Sequence, residues 1–166
     1  MLLYIITNAI LFSFLMTSEQ IPQALSNWVI AQNLEPWMFL VVVNLSLIAA
    51  GQFMEPSSII LILAPLLVPI AKAMGIDPIH LGVVMTINME IGMLHPPVGL
   101  NLFVASHLAK MGLTEVSIAA APWLLVMLGY LILITYVPEI SLWLPNKMYG
   151  ETPAAVIAPV KAPAFD

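Results

Sequence analysis

The sequence has no cysteine and no arginine, and charged residues make up only 8% of its 166 positions. Without cysteine there is no disulfide, no thiol nucleophile and no sulfur-ligated metal. Without arginine the chain has no bidentate clamp for a carboxylate, and its net charge of −5 provides no basic patch for nucleic acid. Soluble domains carry about 25% charged residues, so the scarcity of charge indicates an integral membrane chain.

Long apolar runs account for most of the sequence. Hydrophobic residues make up 61% of the chain, and its mean hydropathy is +1.04. A membrane-spanning helix needs about 20 largely apolar residues, so most of the uncharged runs are long enough, or nearly so. An all-α integral membrane protein is therefore predicted, without a transition-metal site or an organic cofactor. The uncharged runs are 1–18, 36–54, 56–71, 91–109 and 116–138.

The chain divides into a membrane domain at 1–150 and a tail at 151–166. The tail is rich in proline and alanine and is expected to be disordered. The apolar start has no basic n-region, so we interpret it as a membrane helix and not as a cleaved signal. The predicted elements are a helix at 1–17, an interfacial helix at 20–33, a hairpin at 36–74, a broken helix at 78–110 and a helix at 115–138.

The stretch Asn88–Gly99 places polar residues, two glycines and two adjacent prolines inside an apolar segment. Pro96 and Pro97 remove two backbone donors, and each ring clashes with the carbonyl four residues earlier, so a helix must stop or kink near Leu94. In lipid the freed carbonyls require protein, an ion or water as a partner. Broken helices of this kind bind ions and substrates in many secondary transporters.

Four residues around this break are candidates for an ion site. Gly92 and Gly99 permit the dihedral angles of an unwound segment and expose carbonyl oxygens that suit a hard cation; close helix packing is the alternative. Asn88 and Glu90 lie in the half-helix before the break, and an acid within a membrane segment indicates function. Alternatively, Glu90 hydrogen-bonds to nearby backbone or faces a partner helix.

The polar interruption at 51–58 separates two apolar arms that are short for spanning helices. In one interpretation the arms are two ordinary spans, and Glu55 is a solvated turn residue. In the other they form a re-entrant hairpin whose tip stays inside the membrane, and Glu55 lies near the site. Both remain open at this point. Ser57 fits a tip or cap role, and the chain has no Gly-x-Ser-x-Gly motif, so we do not expect an enzyme.

Six motifs occur in order within the stretch from about residue 20 to residue 146. They are Gly51-Gln-Phe-Met-Glu-Pro56, Ala64-Pro-Leu-Leu-Val-Pro69, Gly75-Ile-Asp-Pro-Ile-His-Leu-Gly82, Asn88…Gly92, Pro96-Pro-Val-Gly-Leu-Asn-Leu-Phe-Val104 and the late Pro122…Pro138…Leu144-Pro145. Together they resemble the large membrane subunit, of the DctM type, of the tripartite ATP-independent periplasmic (TRAP) transporters. The chain resembles only the second, C-terminal repeat of that subunit.

The resemblance implies a multi-pass protein of a bacterial or archaeal inner membrane that takes up organic acids, such as C4-dicarboxylates or sialic acids, by symport with sodium. It implies three partners besides lipid: a periplasmic substrate-binding protein, a small membrane subunit and the missing first repeat. The implied fold has inverted repeats, each with a re-entrant hairpin and a broken helix, and moves as an elevator. A truncated, non-transporting scaffold derived from such a permease is the alternative.

The resemblance also implies sodium ligands, which are mainly backbone oxygens at the hairpin tip and the break. The family usually has threonine before the two prolines, whereas this chain has histidine, so a hydroxyl ligand is absent and a backbone carbonyl still serves. The implied sodium ligands are Gly51, Gly92, His95 and Val98. The implied supporting residues are Met54, Glu55, Ser57, Asn88, Glu90, Pro96, Pro97 and Gly99.

Overall fold

A computed structural model describes residues 2–32, 34–96 and 98–149, and every regular element within these ranges is an α-helix. The predicted all-α fold class is therefore confirmed. The disorder predicted for 151–166 falls on residues outside the described ranges, as does Pro97. The described helices are α1 (Leu2–Ser18), α2 (Ile21–Ala31), α3 (Pro36–Gly51), α4 (Pro56–Ala73), α5 (Pro78–Leu94), α6 (Leu100–Ala109), α7 (Leu113–Tyr136) and α8 (Pro138–Tyr149).

Two of these helices, α4 and α7, are long and apolar enough to cross a membrane. Helix α4 begins after Glu55, and α5 begins after Asp77, each with proline in its first turn and a carboxylate that accepts backbone N–H groups. Proline is tolerated there because the first N–H groups of a helix have no intrahelical partner. The same preference explains α8, which the sequence analysis did not predict as a helix, since Pro138 occupies its first position.

Helix α5 lies between two apolar clusters. On one side Leu81, Met85 and Met89 join the core formed by α2, α3 and α4. On another side Val84 and Ile91 pack with α7. Burial on two sides makes α5 the central helix of the described bundle.

Helices α3 and α5 run parallel. Asn44 of α3 bonds to Asn88 of α5, and further along both helices Gly51 meets Gly92. The C-terminal ends of the two helices therefore come together, at the point where the chain turns back from α3 into α4. This arrangement positions the candidate site.

The helix break predicted from the double proline is present. Helix α5 ends at Leu94, and His95 has extended dihedral angles (φ −85°, ψ 124°), as expected for a residue before proline. Gly99 has φ +51° and precedes α6. By contrast, the single Pro122 lies inside the continuous helix α7. The helix thus breaks at the two adjacent prolines, whereas α7 continues through its single proline.

Candidate functional site at the hairpin tip and the helix break

The ends of α3 and α5 touch through two glycines. A Cβ atom at Gly92 would lie 2.8 Å from the Cα and 2.9 Å from the carbonyl carbon of Gly51. These separations are too short for non-bonded carbon atoms, and the opposing atoms belong to rigid backbone. Position 92 therefore requires glycine. The structure thus brings together two of the predicted residues, Gly51 and Gly92. Close helix packing, the alternative explanation for Gly92, is also observed.

This contact also gathers carbonyl oxygens. The Ile48 oxygen lies 3.2 Å from the position of a Cβ at Gly92, and the Met89 oxygen lies 3.7 Å from that of a Cβ at Gly51. A helix carries a partial negative charge at its C-terminus, so two parallel helices that end side by side create a region of negative potential. A cation is the ligand that such an arrangement favours.

The break contributes further oxygens around Gly99. The carbonyl oxygens of Met93 and His95 each lie 3.1 Å from the position that a Cβ at Gly99 would take. With φ +51°, Gly99 lies in the left-handed region, where a residue with a side chain would be strained. Val98, which is partly buried, and the exposed Pro96 lie in the same connection.

A side-chain contact joins the tip to the break. The amide nitrogen Nε2 of Gln52 lies 3.3 Å from Nδ1 of His95. The same ring nitrogen lies within hydrogen-bonding distance of the Pro96 carbonyl oxygen. One nitrogen cannot accept from Gln52 and donate to Pro96 together, so the tautomer of His95 decides which bond forms. The imidazole of His95 thus contacts the hairpin tip.

Beneath the glycine contact, a buried polar chain links three helices. Nδ2 of Asn88 donates to Oδ1 of Asn44 at 2.8 Å and to the Val84 carbonyl at 2.7 Å. Nδ2 of Asn44 then donates to Oγ1 of Thr135 at 3.0 Å. Asn88 is fully buried, and its Oδ1 has no hydrogen-bond partner among the described residues. The chain ties α3 and α5 to α7 one helical turn before Gly92.

Sequence reasoning singled out Asn88 but missed Gln52, Asn44 and Thr135. Asn44 and Thr135 are isolated polar residues within uncharged runs. Polar side chains in such positions often hydrogen-bond across membrane helices, so their presence was a usable signal. Gln52 directly follows Gly51 in a motif that was singled out, but nothing in the motif indicated its contact with His95.

The hairpin tip is closed by Glu55. Its carboxylate accepts the backbone N–H groups of Ser57 and Ser58, each at 3.1 Å, and also their hydroxyl groups. The acid is therefore the cap of α4, and the serines donate to it. Met54 is exposed beside it. Among the described residues, these hydrogen bonds of Glu55 stay within the tip.

Glu90 does not take part in the polar chain. It is exposed, whereas its neighbours Met89 and Ile91 are buried. Its side chain therefore lies on the outer face of α5. Within the described residues no group of three or more His, Cys, Asp or Glu side chains is arranged to hold a metal ion.

Comparison with known proteins gives consistent matches. The family model described as the DctM component of the tripartite ATP-independent periplasmic transporter matches residues 1–140. The "C4-dicarboxylate TRAP transporter large permease protein DctM" of Rhodobacter capsulatus is 64% identical over 148 residues, which are 89% of this chain and 34% of that protein. The protein of the same name from Pseudomonas aeruginosa is 58% identical over 146 residues, covering 88% of this chain and 34% of that protein.

A more distant relative carries a different substrate in its name. The "Sialic acid TRAP transporter large permease protein SiaM" of Vibrio cholerae is 34% identical over 139 residues, covering 84% of this chain and 33% of that protein. The chain spans about a third of the length of the curated relatives it matches. The resemblance found from the motifs is confirmed by these matches.

Proposed function

Since the chain belongs to the DctM component family of tripartite ATP-independent periplasmic transporters, we propose that it forms part of the large permease subunit of a sodium-coupled organic-acid transporter. We further propose that a C4-dicarboxylate is the substrate. The two relatives at 64% and 58% identity carry that substrate in their names, whereas the sialic acid permease is only 34% identical.

The proposed transporter lies in a bacterial or archaeal inner membrane. A periplasmic binding protein delivers the substrate, and a small membrane subunit assembles with the permease. Because the chain spans about a third of its relatives' length, the remainder of the permease must come from polypeptide outside this chain. The substrate site is proposed to form between the two parts.

One observation carries the sodium proposal: two helix C-termini meet at Gly51 and Gly92 beside a helix break. Sodium is a hard cation that prefers oxygen ligands, as other hard cations do. The carbonyl oxygens at the tip and the break are of that kind, and the glycines let them approach closely. We therefore propose that Na+ binds here through the backbone of Gly51, Gly92, His95 and Val98.

The depth of the hairpin tip supports the re-entrant interpretation. Helix α7 has 24 residues, about 36 Å at 1.5 Å per residue, which exceeds the hydrocarbon thickness of about 30 Å. Ile48 and Ile91, each within a turn of the glycine contact, belong to an apolar cluster that covers the second half of α7, where its members are Leu124, Met127, Leu128, Leu131 and Ile134. The glycine contact thus lies beside a membrane-length helix, and we propose a tip that stays within the bilayer and a hairpin that enters and leaves on one side.

The test uses a chimeric permease in which this chain replaces the homologous segment of the Rhodobacter capsulatus relative. Uptake of a C4-dicarboxylate into proteoliposomes is measured with its binding protein, with and without an inward sodium gradient. We expect uptake only with the gradient. Uptake that is equal in the absence of sodium would refute the coupling, and an inserted chimera without uptake would refute the permease role.

A matched pair of variants ties the activity to the site. Gly92→Ala adds one methyl group where backbone blocks it, and we expect it to abolish uptake. Gly129→Ala makes the same change in α7, where a Cβ would meet nothing within 4 Å, and we expect normal uptake. Equal activity of the two variants would contradict a site at the glycine contact.

A further inference from the structure

Three exposed residues form a stripe along α5. Gly82, Thr86 and Glu90 are spaced by four, so they lie on one face of the helix. The Thr86 hydroxyl donates to the Gly82 carbonyl at 2.9 Å, and nothing lies within 4 Å of a Cβ position at Gly82. We refer to these three residues as the outer face of α5. It is open within the described structure and carries the polar side chains of Thr86 and Glu90, and the exposed Ile79 lies on the same side of the helix near its start.

This face is unsuited to lipid. Glu90 lies two residues before Gly92 and hence at the level of the glycine contact, which the proposed topology places within the bilayer. Acidic side chains in membrane segments almost always face protein or water, because a charge in hydrocarbon is costly. The face therefore requires a covering other than lipid chains.

The described part of the chain does not provide a cation for Glu90. There is no arginine. Lys72 lies in the last turn of α4, Lys110 directly after α6, and Lys147 in the last turn of α8. In the proposed topology these three helix ends lie at the membrane surfaces, whereas Glu90 lies within the bilayer beside the helix break. A cationic or hydrogen-bond-donating partner must come from another segment.

The outer surface of α7 gives the contrast. Its exposed side chains include Trp123, Val126 and Tyr130, which are the apolar and aromatic groups expected against lipid. The outer face of α5 instead includes Gly82 and Thr86, and small residues of this kind let a second helix approach closely in a membrane.

We propose that the outer face of α5 is an interface for a membrane helix from the part of the large permease outside this chain. That helix carries a basic or hydrogen-bond-donating side chain opposite Glu90. The relatives are about three times as long as the segment matched here, so the same subunit supplies the additional helices. The inference rests on the proposed function only for the depth of Glu90 and the existence of those helices.

Spin labels test the proposal without requiring transport. Because the chain has no cysteine, single-cysteine variants of a cysteine-free chimeric permease carry one label each. Thr86→Cys reports the outer face of α5, and Val126→Cys is the control on α7. Collision with oxygen, which concentrates in lipid, and with a water-soluble nickel chelate is measured in lipid nanodiscs.

We expect the label at 126 to collide strongly with oxygen and the label at 86 to be shielded from both reagents. Strong oxygen collision at 86 would show a lipid-facing surface, and strong nickel collision would show an aqueous cavity; either would overturn the proposal. Failure of the proposed sodium coupling would leave this measurement unaffected.

A second measurement asks whether Glu90→Leu raises or lowers the melting temperature of the chimeric permease. If Glu90 faced lipid, Glu90→Leu would raise the melting temperature of the chimera because it removes a carboxyl group from hydrocarbon. Our proposal expects a melting temperature several degrees lower, since the partner's polar group loses its acceptor, and a smaller loss for Glu90→Gln. Glu139→Leu, in the first turn of α8, is the control and should change little. An unchanged or higher melting temperature for Glu90→Leu would overturn the interface.

Discussion

Helices α5 and α7 have similarly apolar sequences but present different surfaces. The outer face of α5 combines Gly82 with the polar Thr86 and Glu90, whereas α7 exposes side chains such as Trp123 and Val126, which are 73% and 66% exposed. Their buried sides differ as well, since α5 buries the amide of Asn88 and a glycine that touches another backbone. Overall hydrophobicity therefore does not separate the helix that forms the candidate site from the helix whose exposed surface is apolar. The positions of glycine and of single polar residues do.

The largest expected effect concerns the glycines of the two helices. Gly92→Ala should destabilise the protein by about 1–3 kcal/mol, because overpacking against rigid backbone forces displacement. Gly129→Ala should instead stabilise it by about 0.5–1 kcal/mol, because alanine favours the helix. Unfolding of both variants in the same detergent micelles checks the opposite signs. If both substitutions destabilised the protein, or both stabilised it, the proposed difference in packing between Gly92 and Gly129 would be wrong.

The next effect concerns the polar chain that crosses from α5 to α7. Asn88→Leu should cost about 0.6–1.7 kcal/mol, the range for interhelical hydrogen bonds in membranes. Asn44→Leu should cost a similar amount, and the double variant should cost clearly less than the sum, because the two residues share one bond. A double-mutant cycle measured by unfolding tests this. Full additivity would mean that the bond contributes nothing to stability.

A third prediction concerns the helix break between α5 and α6, which has no counterpart within α7. His95→Thr introduces the hydroxyl ligand that the family resemblance implied before the two prolines. We expect the sodium concentration for half-maximal uptake by the chimeric permease to fall about fivefold, the equivalent of a hydrogen bond of about 1 kcal/mol. His107→Thr on the exposed surface of α6 is the control. An unchanged value for His95→Thr would show that the side chain plays no part in ion affinity.

The smallest effect distinguishes the starts of the two helices. Asp77 accepts the Ile79 N–H at 2.7 Å, so Asp77→Ala should destabilise the protein by about 1 kcal/mol, as is typical for an N-cap. Glu115 accepts the Gly112 N–H of α7 at a longer 3.2 Å, and Glu115→Ala should cost about 0.5 kcal/mol, the low end for a hydrogen bond. Denaturant titration compares the two. A larger loss for Glu115→Ala would reverse the expected order.

Local features made much of the fold predictable. The long uncharged runs indicated membrane helices, and the double proline indicated the end of α5 near Leu94. These signals act within a few residues along the chain, because they depend on backbone donors and ring clashes. Helix α8 was missed since its start at Pro138 was interpreted as the end of the preceding helix.

The candidate site was only partly predictable. Gly92 and Asn88 were identified because they lie beside the double proline within an apolar segment, and Gly51 was identified through the family resemblance. Their partners were not: Gln52 meets His95 from 43 positions away, and Asn44 meets Thr135 from 91 positions away. No local pattern records which of several helices packs beside another.

The sequence by itself determined that this is a helical membrane protein with a broken helix, because charge, hydropathy and the loss of backbone donors are properties of the chain alone. It also carried the family motifs. Only the tertiary structure decided that α3 and α5 run parallel and end at the same place, and that Glu90 points outward while Asn88 points inward. Those outcomes depend on which helix faces fit against one another. The contacts that decide this join segments that are distant in sequence, and they form only when the helices pack.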